Sequence, residues 1–123
     1  MSRPLSWAAV AKRCAAKPGA VLDHPWDPEG HVYKVGGKIF AFLGAEGGPR
    51  GSFKCDRERI DEWRSRYPDA IGPAPYLTNK PWNNVVFRGV DPDDMAEIID
   101  DSYEQVVLTL AKKHRPKGWD TGR

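Results

Sequence analysis

Three stretches of the chain carry apolar residues at helical spacing. The first, residues 4–17, is predicted to be a helix because its apolar side chains fall three and four positions apart: Trp7, Val10, Ala11 and Cys14. The second, residues 57–66, follows Asp56, a favourable N-cap residue, and ends before Pro68. The third begins at Asp91-Pro92, a favoured N-cap and first-turn pair. Its apolar stripe is the longest in the chain: Met95, Ile98, Ile99, Ser102, Tyr103, Val106, Val107 and Leu110.

Between the helices the polarity alternates as in β-strands. The clearest case is residues 32–43, where two apolar-rich runs flank Gly36-Gly37 and predict a hairpin with a two-residue primed turn. Both turn positions need positive φ, which glycine adopts without steric cost. Such a turn fixes the strand register as these pairs: Val35 with Lys38, Lys34 with Ile39, Tyr33 with Phe40, and Val32 with Ala41.

That register assigns every hairpin side chain to one of two faces. One face carries Tyr33, Val35, Lys38, Phe40 and Phe42, and the other carries Val32, Lys34, Ile39, Ala41 and Leu43. The tip therefore presents one lysine on each face. This pattern suits a wing that contacts nucleic acid and equally suits a solubilised hairpin end.

The order of the elements predicts the fold class. Further strands are expected at Val21-Leu22, at residues 52–55 and at residues 82–87, with one short edge strand in the proline-rich segment 68–81. The order α-β(3-4)-α-β(1-2)-α is typical of an α+β two-layer sandwich with an antiparallel sheet. We expect one domain over residues 1–116 and a flexible tail over 117–123.

Composition narrows the class of protein. The chain has 123 residues, 40% of them hydrophobic, which suffices for a core without a metal or disulfide staple. The formal net charge of +2 is not by itself a nucleic-acid signature. Cys14 and Cys55 lie far apart, the N-terminus does not read as a signal peptide, and no apolar run approaches the roughly 20 residues of a membrane span. We therefore expect a cytoplasmic monomer with reduced thiols.

Catalytic and cofactor motifs are absent from the sequence. His24, His31 and His114 lie in different segments, although folding can bring His24 and His31 together, and no metal or other cofactor is predicted. The glycine-rich residues 44–51 lack the Lys-Ser/Thr ending of a phosphate-binding loop. Cys55 follows Lys54 at the start of a helix, which can depress a thiol pKa, but a buried strand cysteine is the favoured interpretation. No enzymatic activity is expected.

The remaining candidates are polar and basic residues on or beside the strands. Lysine and arginine bind phosphate, amides read base edges, and aromatic rings such as Tyr33, Phe40 and Trp82 stack on bases. An ordinary strand surface over packed aromatics is the competing interpretation. The predicted nucleic-acid-binding residues are Lys34, Lys38, Arg50, Lys54, Asn79, Lys80, Trp82 and Asn83.

Several segments in their order and spacing resemble the MmcQ/YjbR family of small bacterial proteins. They are residues 34–41 of the hairpin, Phe53-Lys54-Cys55-Asp56, residues 73–77 and 79–85, and on the last helix Ser102-Tyr103 and Val106-Val107. The resemblance implies a compact α+β fold in a double-wing arrangement and a DNA-binding function. Members often have a histidine before the tryptophan of a Lys-x-His-Trp stretch, and Pro81 occupies that place here. The departure removes the most plausible general base.

We therefore expect a DNA-binding protein of low sequence specificity that contacts the phosphate backbone through the hairpin wing and strand surface. The alternative is a non-enzymatic protein or small-ligand binding module that uses an open aromatic sheet face. A contiguous exposed apolar patch would favour the module, and a continuous basic stripe would favour DNA.

Overall fold

A computed structural model describes residues 3–75, 77 and 81–120. Its helices are α1 (Trp7–Ala15), α2 (Ile60–Arg66) and α3 (Pro92–Val107). Its strands are β1 (Val21–Asp23), β2 (His31–Val35), β3 (Lys38–Gly44), β4 (Arg50–Lys54), β5 (Ile71–Pro73) and β6 (Trp82–Val86). Short 3-10 turns lie at Phe87–Gly89 and Lys112–His114.

The six strands form one antiparallel sheet in the order β1-β2-β3-β4-β6-β5. The helices pack on one face of it, with α3 against β2, β3 and β4 and α1 against β3 and α3. The predicted α+β fold with an antiparallel sheet is confirmed. The proline-rich segment supplies β5 as a three-residue edge strand.

The core lies between the helices and the sheet. Its largest fully buried side chains are Trp63, Tyr103, Phe40 and Phe53. The Ser102 hydroxyl joins the two layers, because it donates to the Phe40 carbonyl at 2.5 Å and accepts from the Lys54 N–H at 2.8 Å. The predicted apolar stripe of α3 is thus the surface that covers the central strands.

Two helices begin later than predicted. The Ser6 hydroxyl accepts from the Ala9 N–H and caps α1, so that helix begins at Trp7. Asp56 accepts from the Glu58 N–H within a preceding turn, and α2 begins at Ile60. Ser6 thus starts α1 as its N-cap, whereas the N-cap of α2 is Arg59 and not the predicted Asp56, whose side chain bonds within the turn before the helix. The third helix begins at Pro92 as predicted, although the Asp91 side chain makes no capping bond.

The predicted hairpin register is right at the tip and wrong beyond it. Val35 pairs with Lys38 and Lys34 with Ile39, but Tyr33 then pairs with Ala41 and Val32 with Phe42. The register shifts leave Phe40 and then Leu43 as extra residues on β3, and both side chains are buried in the core. Consequently Phe42 leaves the predicted Tyr33 face, whereas Ala41 and Leu43 join the core.

The hairpin tip packs against the chain that follows α3. Gly36 and Gly37 have φ of 59° and 79°, as the predicted turn requires. A Cβ on Gly36 would lie 2.6 Å from Leu110 Cδ1, and Lys38 Nζ donates to Thr109 Oγ1 at 3.1 Å. Within the described residues this tip is held against the helical layer. Trp119, in the predicted tail, also packs against the core.

Candidate binding site on the open sheet face

The face of the sheet opposite the helices, here called the open face, carries a cross-strand row of directly paired residues. Val32 pairs with Phe42, Phe42 with Ser52, Ser52 with Asn84, and Asn84 with Gly72. Paired residues in an antiparallel sheet share a face. The extra residue Phe40 forms a β-bulge in β3, here called the β3 bulge, and it shifts Phe42 into this row. The composition of the open face therefore depends on the corrected register.

A closed loop presents Trp26 beside this row. His24 Nδ1 lies 3.0 Å from the Gly30 carbonyl oxygen, and the Gly30 N–H donates to the Asp27 carbonyl at 2.9 Å. The Trp26 ring lies parallel to the Phe42 ring, with an interplanar angle of 7° and centroids 6.0 Å apart. Trp26 is nevertheless 73% exposed. A large aromatic ring is thus fixed in orientation while most of its surface faces solvent.

Trp26 and Phe42 border a groove of about 640 Å³. Ile39 and Leu77 add further apolar surface, and Ser52 and Asn84 lie along it. Arg50 also lines the groove and is exposed. This volume falls in the range of small-molecule sites, which combine apolar walls with a few polar groups.

A second depression, here called the basic cleft, lies where β4 ends and β6 begins. It is lined by Lys54, Arg57, Pro81, Trp82 and Gln105, together with Cys55, Asp56 and Glu58. Burial, together with the positive charges of Lys38 and Arg57, lowers the pKa of Lys54. Lys54 pairs with Trp82 in register, and the Trp82 ring contacts the Phe42 ring with centroids 5.2 Å apart. The groove and the basic cleft are therefore neighbours.

The predicted hairpin lysines are both engaged. Lys34 Nζ lies 2.7 Å from an Asp23 carboxylate oxygen, and this pairing lowers the pKa of Asp23. Lys38 Nζ donates a hydrogen bond to Thr109 Oγ1, on the face of the sheet that the helices cover. The prediction of one lysine on each face is right.

The predicted β6 residues lie in different surroundings. Asn83 is 3% exposed, and its Oδ1 accepts from Arg64 Nε at 2.8 Å, so its side chain faces the helices and not the open face. Trp82 lies on the open face but is 9% exposed. Arg50 lines the groove and Lys54 the basic cleft, whereas Asn79 and Lys80 lie outside the described residues.

The predicted aromatic platform must be corrected. Tyr33 and Phe40 belong to the core, at 6% and 0% exposure, because the β3 bulge and the helices enclose them. Among the residues that the structure describes, the aromatic side chains of the open face are Trp26, Phe42 and Trp82. Sequence analysis missed Trp26, whose flanking Pro25 and Pro28 indicated only a break between strands.

Neither cysteine is placed for nucleophilic chemistry. Burial raises the pKa of Cys14 to about 12, and burial followed by the charge of Asp101 raises the pKa of Cys55 to about 12. Both thiols therefore stay protonated at neutral pH.

The side chains of His24 and His31 contact each other, as was considered in the sequence analysis. The rings of His24 and His31 contact edge to face with centroids 4.9 Å apart, and the Nδ1 atom of His31 lies 3.0 Å from the Glu29 carbonyl oxygen. Within residues 3–75, 77 and 81–120, no group of three or more His, Cys, Asp or Glu side chains is arranged to hold a metal ion. Across the same residues, no helix is long and apolar enough to cross a membrane.

Comparison with known proteins places this geometry in a family. The chain is 34% identical over 113 residues to the Escherichia coli O157:H7 protein named "Uncharacterized protein YbdF". The aligned region covers 88% of this chain and 90% of the relative. The crystal structure of Deinococcus radiodurans protein DR2400, a DUF419 domain, superposes with a TM-score of 0.80 at 30% identity over 88% of this chain and 83% of that one.

A Pseudomonas syringae protein shares the fold at a TM-score of 0.59 and 20% identity, over 76% of this chain and 92% of that one. The family model described as YjbR matches residues 15–105. That match runs from the last residue of α1 to residue 105 of α3 and includes the hairpin, the basic cleft and the strands of the open face. The chain belongs to the YjbR family.

Proposed function

We propose that this protein is a non-enzymatic module that binds DNA with low sequence specificity, and that the phosphate backbone lies in the basic cleft. One observation carries the proposal. Lys54 and Arg57 line the same depression, the charge of Lys38 reaches Lys54, and in the described part of the chain no carboxylate pairs with any of the three. Asp56 and Glu58 also line the cleft, but among the described residues neither forms an ion pair with Lys54 or Arg57, so both cations can bind an anion.

The charge pattern of the rest of the surface supports this choice of site. Many other basic side chains are already bound: Arg13 and Lys17 to Asp100, Lys34 to Asp23, Arg59 to Glu97, and Arg66 to Glu62 and Asp94. A cation in an ion pair releases less counterion when it meets phosphate, because its charge is already compensated. Among the described residues, Lys54 and Arg57 are held in no such ion pair.

Low specificity follows from the kind of contact. Lysine and arginine contacts to phosphate fix the position of DNA but do not read its sequence. Asn83, the amide predicted to meet a base or sugar, is bound to Arg64 in the interior. Lys38 keeps two of its three ammonium protons for a phosphate after the bond to Thr109.

The test is fluorescence anisotropy with labelled duplex and single-stranded DNA over a range of salt concentrations. The double variant Lys54→Glu/Arg57→Glu should bind at least about tenfold more weakly, and its slope of log affinity against log salt should be shallower by about two units for duplex DNA. The matched control is Lys12→Glu/Arg88→Glu, which changes the net charge equally at exposed positions away from the cleft.

Three results would contradict the proposal. They are no binding at low salt by the wild-type protein, an equal loss in both double variants, and an unchanged salt slope in the cleft variant. Circular dichroism verifies that each variant is folded. If the glutamate variant unfolds, Lys54→Gln/Arg57→Gln gives the same comparison with a smaller expected change.

A further inference from the structure

We propose that the groove on the open face binds a small molecule that carries a planar aromatic ring and one anionic group. This ligand site is separate from the DNA proposal, because the two use different side chains. The groove is bordered by Trp26, Phe42, Ile39, Leu77, Arg50 and Asn84.

The planar ring is inferred from the way Trp26 is held. Its loop is closed by the His24–Gly30 contact and by the Asp27–Gly30 hydrogen bond, and its ring is parallel to that of Phe42. The centroid separation of 6.0 Å is in the range of offset aromatic pairs. Because Trp26 is 73% exposed, one aromatic surface remains available next to the groove. A flat ring uses such a surface better than an aliphatic chain does.

The size of the ligand follows from the volume. A groove of about 640 Å³ holds a molecule of two or three fused or linked rings. The walls supplied by Ile39 and Leu77 are apolar, so most of the ligand must be apolar as well. Sugars and other highly hydroxylated compounds do not fit this surface, since their hydroxyl groups would lose water without gaining partners.

The single anionic group is inferred from charge. Arg50 is the one charged side chain among the described residues that line the groove, and no ion pair engages it. A guanidinium binds a carboxylate, sulfonate or phosphate through two parallel hydrogen bonds. Ser52 and Asn84 lie on the open face beside Arg50 and offer further hydrogen bonds to the same end of a ligand.

Two fluorescent probes of matched shape test the inference. The anionic probe is 8-anilinonaphthalene-1-sulfonate, and the neutral probe is N-phenyl-1-naphthylamine, which lacks the sulfonate. Wild-type protein should bind both, with the anionic probe bound more tightly. Trp26→Ala should weaken both by about tenfold, whereas Arg50→Gln should weaken only the anionic probe, by about fivefold to tenfold. Arg50→Lys should recover part of that loss.

Leu108→Ala is the matched control, because Leu108 is an exposed apolar residue (51%) that does not line the groove. Probe binding that falls equally in the control and in Trp26→Ala, or an affinity for the anionic probe unchanged in Arg50→Gln, would overturn the inference. So would a dimer that dissociates on Trp26→Ala, because a second copy would then occupy the groove. Backbone amide shifts of Phe42, Ser52 and Asn84 on probe addition provide a readout independent of fluorescence.

The two proposals fail separately. Trp26→Ala and Arg50→Gln should retain the DNA affinity that Lys54 and Arg57 supply, and Lys54→Glu/Arg57→Glu should retain affinity for the neutral probe. Failure of the wild-type protein to bind DNA, with probe binding intact, contradicts only the DNA proposal. An anionic-probe affinity unchanged in Arg50→Gln, with DNA binding intact, contradicts only the groove proposal.

Discussion

Arg13 on α1 donates two parallel hydrogen bonds to the carboxylate of Asp100 on α3, from Nε to Oδ1 at 3.0 Å and from Nη2 to Oδ2 at 2.7 Å. Lys17 binds the same carboxylate. Burial opposes ionisation of Asp100, but the bonds from Arg13 and Lys17 outweigh it and lower its pKa. The helical layer that covers the sheet is therefore joined by an ionised carboxylate.

Asp100→Asn should lower the free energy of unfolding at pH 7 by about 2 kcal/mol, because it removes charge-assisted bonds and leaves two cations without their partner. A carboxyl whose pKa is lower in the folded state stabilises above its unfolded pKa of about 3.9, and that stability is lost as the pH falls through the folded value. Urea unfolding at pH 7 and below pH 4 should thus show the gap between wild type and variant narrowing in acid. Asp69→Asn, at an exposed position, should change little at either pH. An equal gap at both pH values would contradict the assigned ionisation.

Ser102 should be one of the most sensitive small residues in the chain. Its side chain is fully buried and bonds to Phe40 on β3 and Lys54 on β4. Ser102→Ala leaves the buried Phe40 carbonyl and the partly buried Lys54 N–H without this partner, and we expect a loss of about 1–3 kcal/mol in urea unfolding. Ser65→Ala, at an exposed position of α2, should differ from wild type by less than about 0.5 kcal/mol. Similar losses in the two variants would show that the bridge contributes nothing specific.

Local signals in the sequence were enough to predict the turn, but not to predict how the two strands pair beyond it. Gly36-Gly37 specifies its turn through φ, and the two nearest pairs follow from that geometry. The bulge at Phe40 depends on partners far along the chain, because the Phe40 ring packs edge to face on Tyr103 and its carbonyl accepts from Ser102. The spacing of residues within the hairpin gives no information about those contacts, so the bulge could not be predicted from it.

Dependence on distant contacts also explains which residues of the candidate site could not be predicted from the sequence. Trp26 reaches the open face only because Phe42 is there, and Phe42 is there because of the bulge. Lys54 was predicted from its strand position, which alternation alone determines. Arg50 was predicted in the glycine-rich loop before that strand, but it is the first residue of β4. The engagement of Lys34 with Asp23 needed the pairing of β1 with β2, a contact between weakly patterned segments.

The two turn glycines should respond differently to the same substitution. Both have positive φ, so alanine is strained at either position, by about 1 kcal/mol. A Cβ on Gly37 meets nothing within 4 Å, whereas on Gly36 it meets Leu110 at 2.6 Å. Gly36→Ala should therefore be about 1 kcal/mol more destabilising than Gly37→Ala in urea unfolding.

Leu110→Ala provides the check on this mechanism. In a double-mutant cycle it should relieve part of the cost of Gly36→Ala and leave the cost of Gly37→Ala unchanged. Equal costs for the two glycine variants would mean that the hairpin tip is not packed against Leu110.

Both thiols should react slowly in the folded protein. Burial raises the pKa of Cys14 and of Cys55 to about 12, so at pH 8 little thiolate is present and access is restricted. Titration with 5,5′-dithiobis(2-nitrobenzoic acid) at pH 8 should show two reactive thiols in urea and almost none in native buffer. A rapid reaction of one thiol in native buffer would point to an activated cysteine and reopen an enzymatic role.

The final prediction separates the Lys34 face of the hairpin from the basic cleft as the place where DNA binds. Asp23→Asn/Lys34→Gln removes the ion pair between β1 and β2 without changing the net charge, since one acid and one base are lost together. If Lys34 does not contact phosphate, affinity and salt dependence should match those of wild type in the anisotropy titration. Lys54→Gln should make the salt slope shallower by about 0.9 for duplex DNA, because one unpaired cation is lost. The reverse result, a shallower slope in the Asp23/Lys34 variant and none in Lys54→Gln, would assign DNA binding to the hairpin as a wing.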